Sequence, residues 1–221
     1  MTEAEMTKSI DEAVDKLKTL DPISIFLMGS FARDEWQSKS DAEVAIVFSD
    51  ENYQSRTKLK PFTTEKVRVY PFRKLELLNL SSVIPFPRKF YFWWLKRTAK
   101  TLWGKNVLDE MEVEVSADDL KESITFQKGI ALSAMVSLRN GDNETAEWGF
   151  SKSCLFGTIS ALALRKIEVI TFKRAVAFAR EEFAEFFDVI QKAEAVWEGK
   201  KQIEEKDIFR NFEYFAFLEK E

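Results

Sequence analysis

The hydrophobic pattern of this chain changes character near residue 115, and this change constrains the fold more than any other feature. Before it, the apolar run at 23–28 fits a buried strand, 42–48 and 66–72 fit two further strands, the last with Pro71 at an edge or an end, and helical segments lie between them. After it, apolar residues recur only at helical spacing. We therefore predict an α+β chain in which a mixed sheet flanked by helices (1–115) precedes an all-α helical bundle (116–221).

The bundle is predicted to contain five helices. Ser116 with Asp119 is typical of a helix start, and the pair Asn140 and Gly141 is typical of a turn. Four further segments have apolar residues at helical spacing, at 147–165, 171–180, 183–197 and 204–218.

The first half is predicted to open with a helix over 2–20, because Thr2 and Glu5 fit a capping box ahead of an apolar stripe. Two more helices are expected at 74–80 and 86–101, and 113–115 fits a last strand or a linker. The helix over 86–101 carries an aromatic run flanked by basic residues. Such a run fits a buried core with a solvated basic face better than a nucleic-acid surface.

The chain contains no histidine. This excludes Ser-His and Cys-His nucleophilic catalysis, histidine general bases and histidine-ligated zinc. Chemistry must therefore rest on carboxylates, lysine, arginine, tyrosine or a metal held by oxygen atoms. Hard oxygen ligands favour Mg²⁺ or Mn²⁺.

Cysteine content and charge limit the expected cellular location and binding partners. Cys154 is the single cysteine, so an internal disulfide is excluded and a reducing, cytoplasmic location is expected. The N-terminus is polar and acidic, unlike a signal peptide, and no apolar run approaches the roughly 18 residues of a membrane span. The net charge of −4 argues against a strong sequence-independent grip on nucleic acid.

The residues that point to chemistry are a glycine turn and a pair of acids. Gly29 and Ser30 directly follow the first apolar run, where a glycine lets backbone amides approach a phosphate and a serine adds a hydroxyl donor. Asp41 and Glu43 stand two apart at the start of the next strand, so both carboxylates are expected on one face. Carboxylates so close repel each other unless a divalent cation lies between them.

Each feature alone has a plain structural explanation. A Gly-Ser turn is common, and so is an Asp-x-Glu pair on a solvated strand edge. Their joint occurrence is more informative, because the acids open an apolar strand, where a buried charge is costly.

The same residues carry a family resemblance. The segments Leu27-Met28-Gly29-Ser30-Phe31-Ala32-Arg33 and Ser40-Asp41-Ala42-Glu43-Val44-Ala45-Ile46-Val47 resemble the signature of the DNA polymerase beta-like nucleotidyltransferase superfamily. Trp103-Gly104-Lys105-Asn106-Val107-Leu108 is also similar to a segment that often follows the third helix of these domains. The resemblance covers roughly residues 20–112. Compact prokaryotic members, such as antibiotic nucleotidyltransferases, often carry a helical bundle behind this domain, as the second half here does.

The resemblance implies a site. Gly29 and Ser30 would hold the triphosphate of a substrate such as ATP, and Asp41 and Glu43 would be the catalytic carboxylates that bind Mg²⁺ or Mn²⁺. Arg33 matches a frequently basic position, where it would support the loop or the phosphates of the nucleotide. A surface arginine on a short helix is the plainer explanation of Arg33.

Two residues depart from the family pattern. Asp34 stands where a glycine is frequent, which is tolerable because aspartate can adopt a left-handed conformation. Arg68 aligns with the third carboxylate, which normally completes one metal site. A cation there opposes a second metal ion, unless the register differs and Glu65 or Asp50 serves instead.

Three functional readings follow. The first is a nucleotidyltransferase that moves a nucleoside monophosphate from a magnesium-bound nucleoside triphosphate to a hydroxyl acceptor, which is a small molecule, a protein or an RNA end. The second is a degenerate member that binds nucleotide or a partner protein without catalysis. The third is a homo-oligomer assembled through aromatic-rich helices, such as the one carrying Phe212 and Phe215.

Overall fold

The computed structural model describes residues 2–37, 40–81 and 86–220. Contacts between residues divide the chain into two units, Met1–Glu114 and Val115–Glu221. The first unit contains all the strands of the described residues, and the second is helical. The predicted α+β class is confirmed.

The first unit opens with helix α1 (Glu3–Lys18). The Thr2 side chain accepts the Glu5 amide and the Glu5 side chain accepts the Thr2 amide, so the predicted capping box is confirmed. The apolar stripe of α1 is buried against one face of the sheet. Its buried members are Met6, Ile10, Ala13, Val14 and Leu17.

Four strands form one mixed sheet: β1 (Ser24–Met28), β2 (Ala42–Phe48), β3 (Val67–Arg73) and β4 (Lys100–Gly104). Their order is β3-β2-β1-β4. Strand β1 pairs antiparallel with β2 and β4, whereas β2 and β3 are parallel. The first three strands were predicted to within a residue at each end.

The fourth strand was not predicted. The sequence indicated a helix over 86–101, but helix α5 (Arg88–Thr98) ends earlier and the chain then turns into β4. Strand β4 lies at the sheet edge and pairs with β1 through an irregular register, so its conformation depends on a tertiary partner. The segment 113–115 is not a strand.

Both faces of the sheet are covered. Alternate residues of β2 from Ala42 to Phe48 pack towards α1. Ala45 and Val47 point the other way, into a core that includes Phe92 and Leu95 of α5. Most of the aromatic run is buried, which confirms that it is core; its buried members are Phe90, Phe92, Trp93 and Trp94.

Short helices connect the strands of the first unit. Helix α2 (Gly29–Ala32) follows β1, α3 (Arg56–Leu59) precedes β3, and α4 (Lys74–Leu78) follows it. Single 3₁₀ turns lie at Lys60–Phe62 and Val107–Glu110.

The second unit has the five predicted helices: α6 (Ala117–Arg139), α7 (Asn143–Leu164), α8 (Phe172–Glu182), α9 (Phe187–Trp197) and α10 (Glu205–Leu218). Ser116 and Asp119 form the predicted capping box. Two glycines of α7 allow close packing, since Gly149 lies against Ala134 and Gly157 against the Phe215 ring. None of the helices in the described part of the chain has the length and apolar character that crossing a membrane requires.

The aromatic residues that suggested self-assembly differ in exposure. Phe215 is fully buried and Phe212 is partly buried, so neither forms an open apolar surface. Exposed apolar side chains of the second unit lie elsewhere on its helices, at Leu132, Val136, Trp148, Phe178 and Phe209. Self-assembly stays a prediction.

Candidate active site

The glycine turn and the acid pair meet because β1 and β2 are antiparallel. The register places Met28, the last residue of β1, opposite Glu43 near the start of β2. Gly29 follows with φ at +75°, which L side chains rarely adopt. A Cβ atom on Gly29 would lie 2.1 Å from Oε2 of Glu43. This position therefore requires glycine both for its backbone conformation and for the space that the carboxylate fills.

Ser30 lies at the start of a tightly closed turn. Its carbonyl oxygen accepts hydrogen bonds from the amides of Arg33, at 3.2 Å, and Glu35, at 2.9 Å. The Ser30 side chain is partly exposed beside Gly29. The turn is thus held by backbone hydrogen bonds.

Asp41 and Glu43 lie on one face of the sheet. Ala42 and Val44 point into the core beneath α1, so Glu43 between them and Asp41 directly before them point to the opposite face. The negative charges of both acids act on the phenol of Tyr70, which places them in one neighbourhood. Glu43 therefore lies directly beside the glycine turn, and Asp41 lies on the same face near the same tyrosine.

Strand β3 adds a cation to this face. The parallel register puts Arg68 directly beside Glu43, and the Arg68 guanidinium forms an ion pair with Asp41. Oδ2 of Asp41 is buried and faces this guanidinium. The position aligned with a third carboxylate is thus occupied by a basic residue that contacts one of the other two acids.

Two tyrosines border the carboxylates. Burial raises the pKa of Tyr70, and the charge of Glu43 raises it further. Burial and Glu43 also raise the pKa of Tyr91, whose hydroxyl lies 3.9 Å from Sδ of Met28. Both phenols therefore remain protonated in the neutral range. The guanidinium of Arg56 lies over the Tyr70 ring, 4.9 Å from its centroid.

Tyr70 and Tyr91 are site residues that were not predicted. Tyr70 could have been found, since it stands two residues after Arg68 on the same strand face. Tyr91 could not, because its place depends on how α5 packs on the sheet.

Arg33 is not the surface residue that its plainer explanation required. Its side chain is 4% exposed, its Nε donates to Glu35 at 2.9 Å, and its guanidinium lies 5.3 Å from the Trp94 ring centroid. These contacts favour support of the loop over contact with phosphates. The neighbouring Asp34 has φ at +59°, which confirms that an aspartate adopts the left-handed conformation here.

The donor set decides which metal could fit. Within the described residues, no group of three or more acidic, cysteine or histidine side chains could hold a metal ion. Asp41 and Glu43 supply oxygen atoms of the kind that Mg²⁺ and Mn²⁺ prefer, and the Arg68 guanidinium faces one of the two oxygens of Asp41. The pair fits a divalent cation whose remaining ligands come from a triphosphate and water.

Comparison with known proteins adds to this geometry. Residues 10–128 match the family model described as a nucleotidyltransferase domain. The solved structure of spectinomycin adenyltransferase AAD(9) from Enterococcus faecialis, with ATP and spectinomycin, is similar over 100% of both chains, at 15% sequence identity and a TM-score of 0.63. At this identity the likeness shows the fold. No curated protein matches the sequence.

Proposed function

This chain belongs to the nucleotidyltransferase domain family, and we propose that it transfers a nucleoside monophosphate from a magnesium-bound nucleoside triphosphate to a hydroxyl group of a small molecule. The observation that carries the proposal is the contact geometry of Gly29 and Glu43. A carboxylate fills the space that the missing Cβ leaves, directly beside a turn suited to phosphate.

Each residue has a proposed role. The backbone at Gly29 and Ser30, with the Ser30 hydroxyl, would hold the triphosphate. Asp41 and Glu43 would hold the Mg²⁺. When bound, the cation would neutralise charge on the phosphates as it changes during transfer. Arg33 would keep the turn in place through Glu35 and Trp94.

The proposed transfer forms one bond to phosphorus and breaks another. An acceptor hydroxyl oxygen forms a bond to the α-phosphorus, the bond from this phosphorus to the bridging oxygen breaks, and pyrophosphate leaves. The acceptor proton passes to a base or to solvent. Tyr70 and Tyr91 are unsuited to be that base, because a phenol with a raised pKa holds its proton. As hydrogen-bond donors they suit the oxygens of a bound phosphate.

Charge and structural likeness favour a small cationic acceptor. The chain carries a net charge of −4, which attracts cations and repels a polyanion such as RNA. The AAD(9) structure contains spectinomycin, so aminocyclitol antibiotics are the first acceptors to test. The reducing, cytoplasmic location expected from the single cysteine is part of this proposal.

The test is turnover with a mass readout. The protein is incubated with Mg²⁺, each nucleoside triphosphate and a panel of hydroxyl-bearing aminocyclitols and aminoglycosides, and pyrophosphate and acceptor mass are measured. We expect one acceptor to gain one nucleotidyl group. Asp41→Asn and Glu43→Gln should each lower the rate on the order of a hundredfold, since several kcal/mol of charge stabilisation is lost. Asp11→Asn, on the exposed face of α1, is the matched control and should retain full activity.

A second candidate function is nucleotide binding without transfer, which the ion pair between Arg68 and Asp41 favours. Calorimetry with ATP and Mg²⁺ separates the two. Binding that depends on Asp41 and Glu43, with no product from any acceptor, would support the second candidate. Absence of any nucleotide binding would eliminate both.

A further inference from the structure

We propose that Arg68 takes the place of a second divalent cation, so that the site holds one metal ion per bound nucleoside triphosphate. This inference rests on the proposed function and deepens it. It assigns a positioning role to a residue that the family resemblance marked only as a departure.

The position of Arg68 places it against both acids of the site. Arg68 lies on β3 directly beside Glu43 of β2, and neighbouring residues of paired strands point to the same face. The Arg68 side chain is 58% exposed, whereas that of Asp41 is 26% exposed. The guanidinium is thus the more exposed partner of the ion pair, on the face of the sheet that it shares with Glu43.

The positive charge of Arg68 acts on Asp41 and on any nearby cation. A guanidinium remains protonated at any pH at which the protein is folded. It neutralises Asp41 through the ion pair, and it repels a divalent cation placed on the same carboxylate oxygen. Within the described residues no third acid joins Asp41 and Glu43 to offset that repulsion. The described residues therefore have two carboxylates at this face and a fixed positive charge against one of them.

The guanidinium of Arg68 also has hydrogen-bond donors that the ion pair does not use. The ion pair to Asp41 involves Nε of Arg68, and the terminal nitrogens of a guanidinium carry further N–H donors. Such donors suit phosphate oxygens, which they can contact in pairs. Arg68 can therefore neutralise Asp41 and contact a bound phosphate at the same time, which are two tasks that a second metal ion would otherwise perform.

The experiment counts metal ions. The full chain is dialysed against Mn²⁺ with α,β-methylene-ATP, which resists cleavage at the α,β bridge. Bound Mn²⁺ and bound nucleotide are then measured by electron paramagnetic resonance and absorbance. The wild type should bind one Mn²⁺ per nucleotide. Arg68→Glu should bind two, because it restores a carboxylate beside Glu43 and removes the repelling charge.

Controls separate folding and bulk charge from the specific effect. Lys16→Glu makes the same charge change on an exposed position of α1, which packs on the opposite face of the sheet, and should still bind one Mn²⁺. Circular dichroism checks the fold of each variant. If Arg68→Glu does not fold, Arg68→Gln serves instead and should tighten binding of a second Mn²⁺ by about tenfold.

Two Mn²⁺ per nucleotide on the wild type would overturn this inference while leaving the proposed function intact. One Mn²⁺ on both the wild type and folded Arg68 variants would overturn it as well. Failure of the wild type to bind any nucleotide would overturn the proposed function itself, and this inference with it.

Discussion

Replacing Gly29 by alanine tests the glycine turn directly. The residue has φ at +75°, and an added Cβ would lie 2.1 Å from Oε2 of Glu43 and 3.0 Å from its Cδ. The substitution adds one methyl group and changes no charge. Its effect therefore reports on backbone conformation and on the position of the Glu43 carboxylate.

The loss of unfolding free energy expected for Gly29→Ala has two parts. A non-glycine residue in the left-handed region costs about 1–2 kcal/mol. Carbon and oxygen atoms avoid approaches much below about 3.5 Å, so Glu43 must move by more than 1 Å and lose the partners it has, at a further cost of about 1 kcal/mol. We expect Gly29→Ala to lower the free energy of unfolding by about 2–3 kcal/mol.

The chain supplies a matched control. Gly141 has φ at +79°, but nothing lies within 4 Å of the Cβ that alanine would add. Gly141→Ala should therefore cost only the conformational part, about 1–2 kcal/mol, with nucleotide affinity unchanged.

Urea denaturation followed by circular dichroism measures stability, and calorimetry measures the affinity for Mn²⁺ with α,β-methylene-ATP. Gly29→Ala should weaken that affinity by about tenfold or more, since displacing a ligand costs at least about 1.4 kcal/mol. If Gly29→Ala matched Gly141→Ala in stability and left nucleotide affinity unchanged, the reasoning about this turn would be refuted.

Three further predictions concern packing and titration. Burial raises the pKa of the Cys154 thiol, so Ellman's reagent should label it only on unfolding; rapid labelling of the native protein would contradict its burial. The pKa of Tyr91 is raised above 10.0 in the folded protein. At alkaline pH the folded protein therefore keeps the Tyr91 proton that the unfolded chain releases. Stability should fall as pH rises beyond about 10, and less so in Tyr91→Phe, as measured by urea denaturation; equal slopes would refute this. Gly157→Ala meets the Phe215 ring at 2.8 Å and should destabilise by about 1–3 kcal/mol, whereas Gly129→Ala meets nothing within 4 Å and should stabilise by about 0.5–1 kcal/mol; thermal melts that rank them the other way would contradict the packing.

Local signals account for the elements that the sequence predicted well. Strand β1 ends at Met28, directly before Gly29, and β2 begins directly after Asp41 and is apolar apart from Glu43, so these boundaries are marked in the sequence. The capped starts of α1 and α6 are equally local, because each depends on a side chain three residues from its partner.

Strand β4 had no comparable signal. Its residues continue the helical spacing of α5, and most are exposed, so the alternation of a half-buried strand is absent. Only pairing with β1 makes Lys100–Gly104 a strand, and that partner is more than 70 residues earlier in the chain.

The residues of the site also differ in whether the sequence predicts them. Gly29, Asp41 and Glu43 could be grouped from a turn signal and the period of two along a strand. The ion pair between Arg68 and Asp41 requires the parallel register of β2 and β3, which no local signal in the sequence specifies. The burial of Arg33 against Trp94 depends on the packing of α5 and has no sequence signal.

A crystal containing Mn²⁺ and α,β-methylene-ATP tests the central claim most directly. Anomalous scattering at the manganese edge locates the cation without reference to the protein coordinates. We predict a peak coordinated by both Asp41 and Glu43, with the triphosphate against the Gly29 and Ser30 backbone. A peak away from these carboxylates, or a triphosphate bound elsewhere on the chain, would contradict the proposed site.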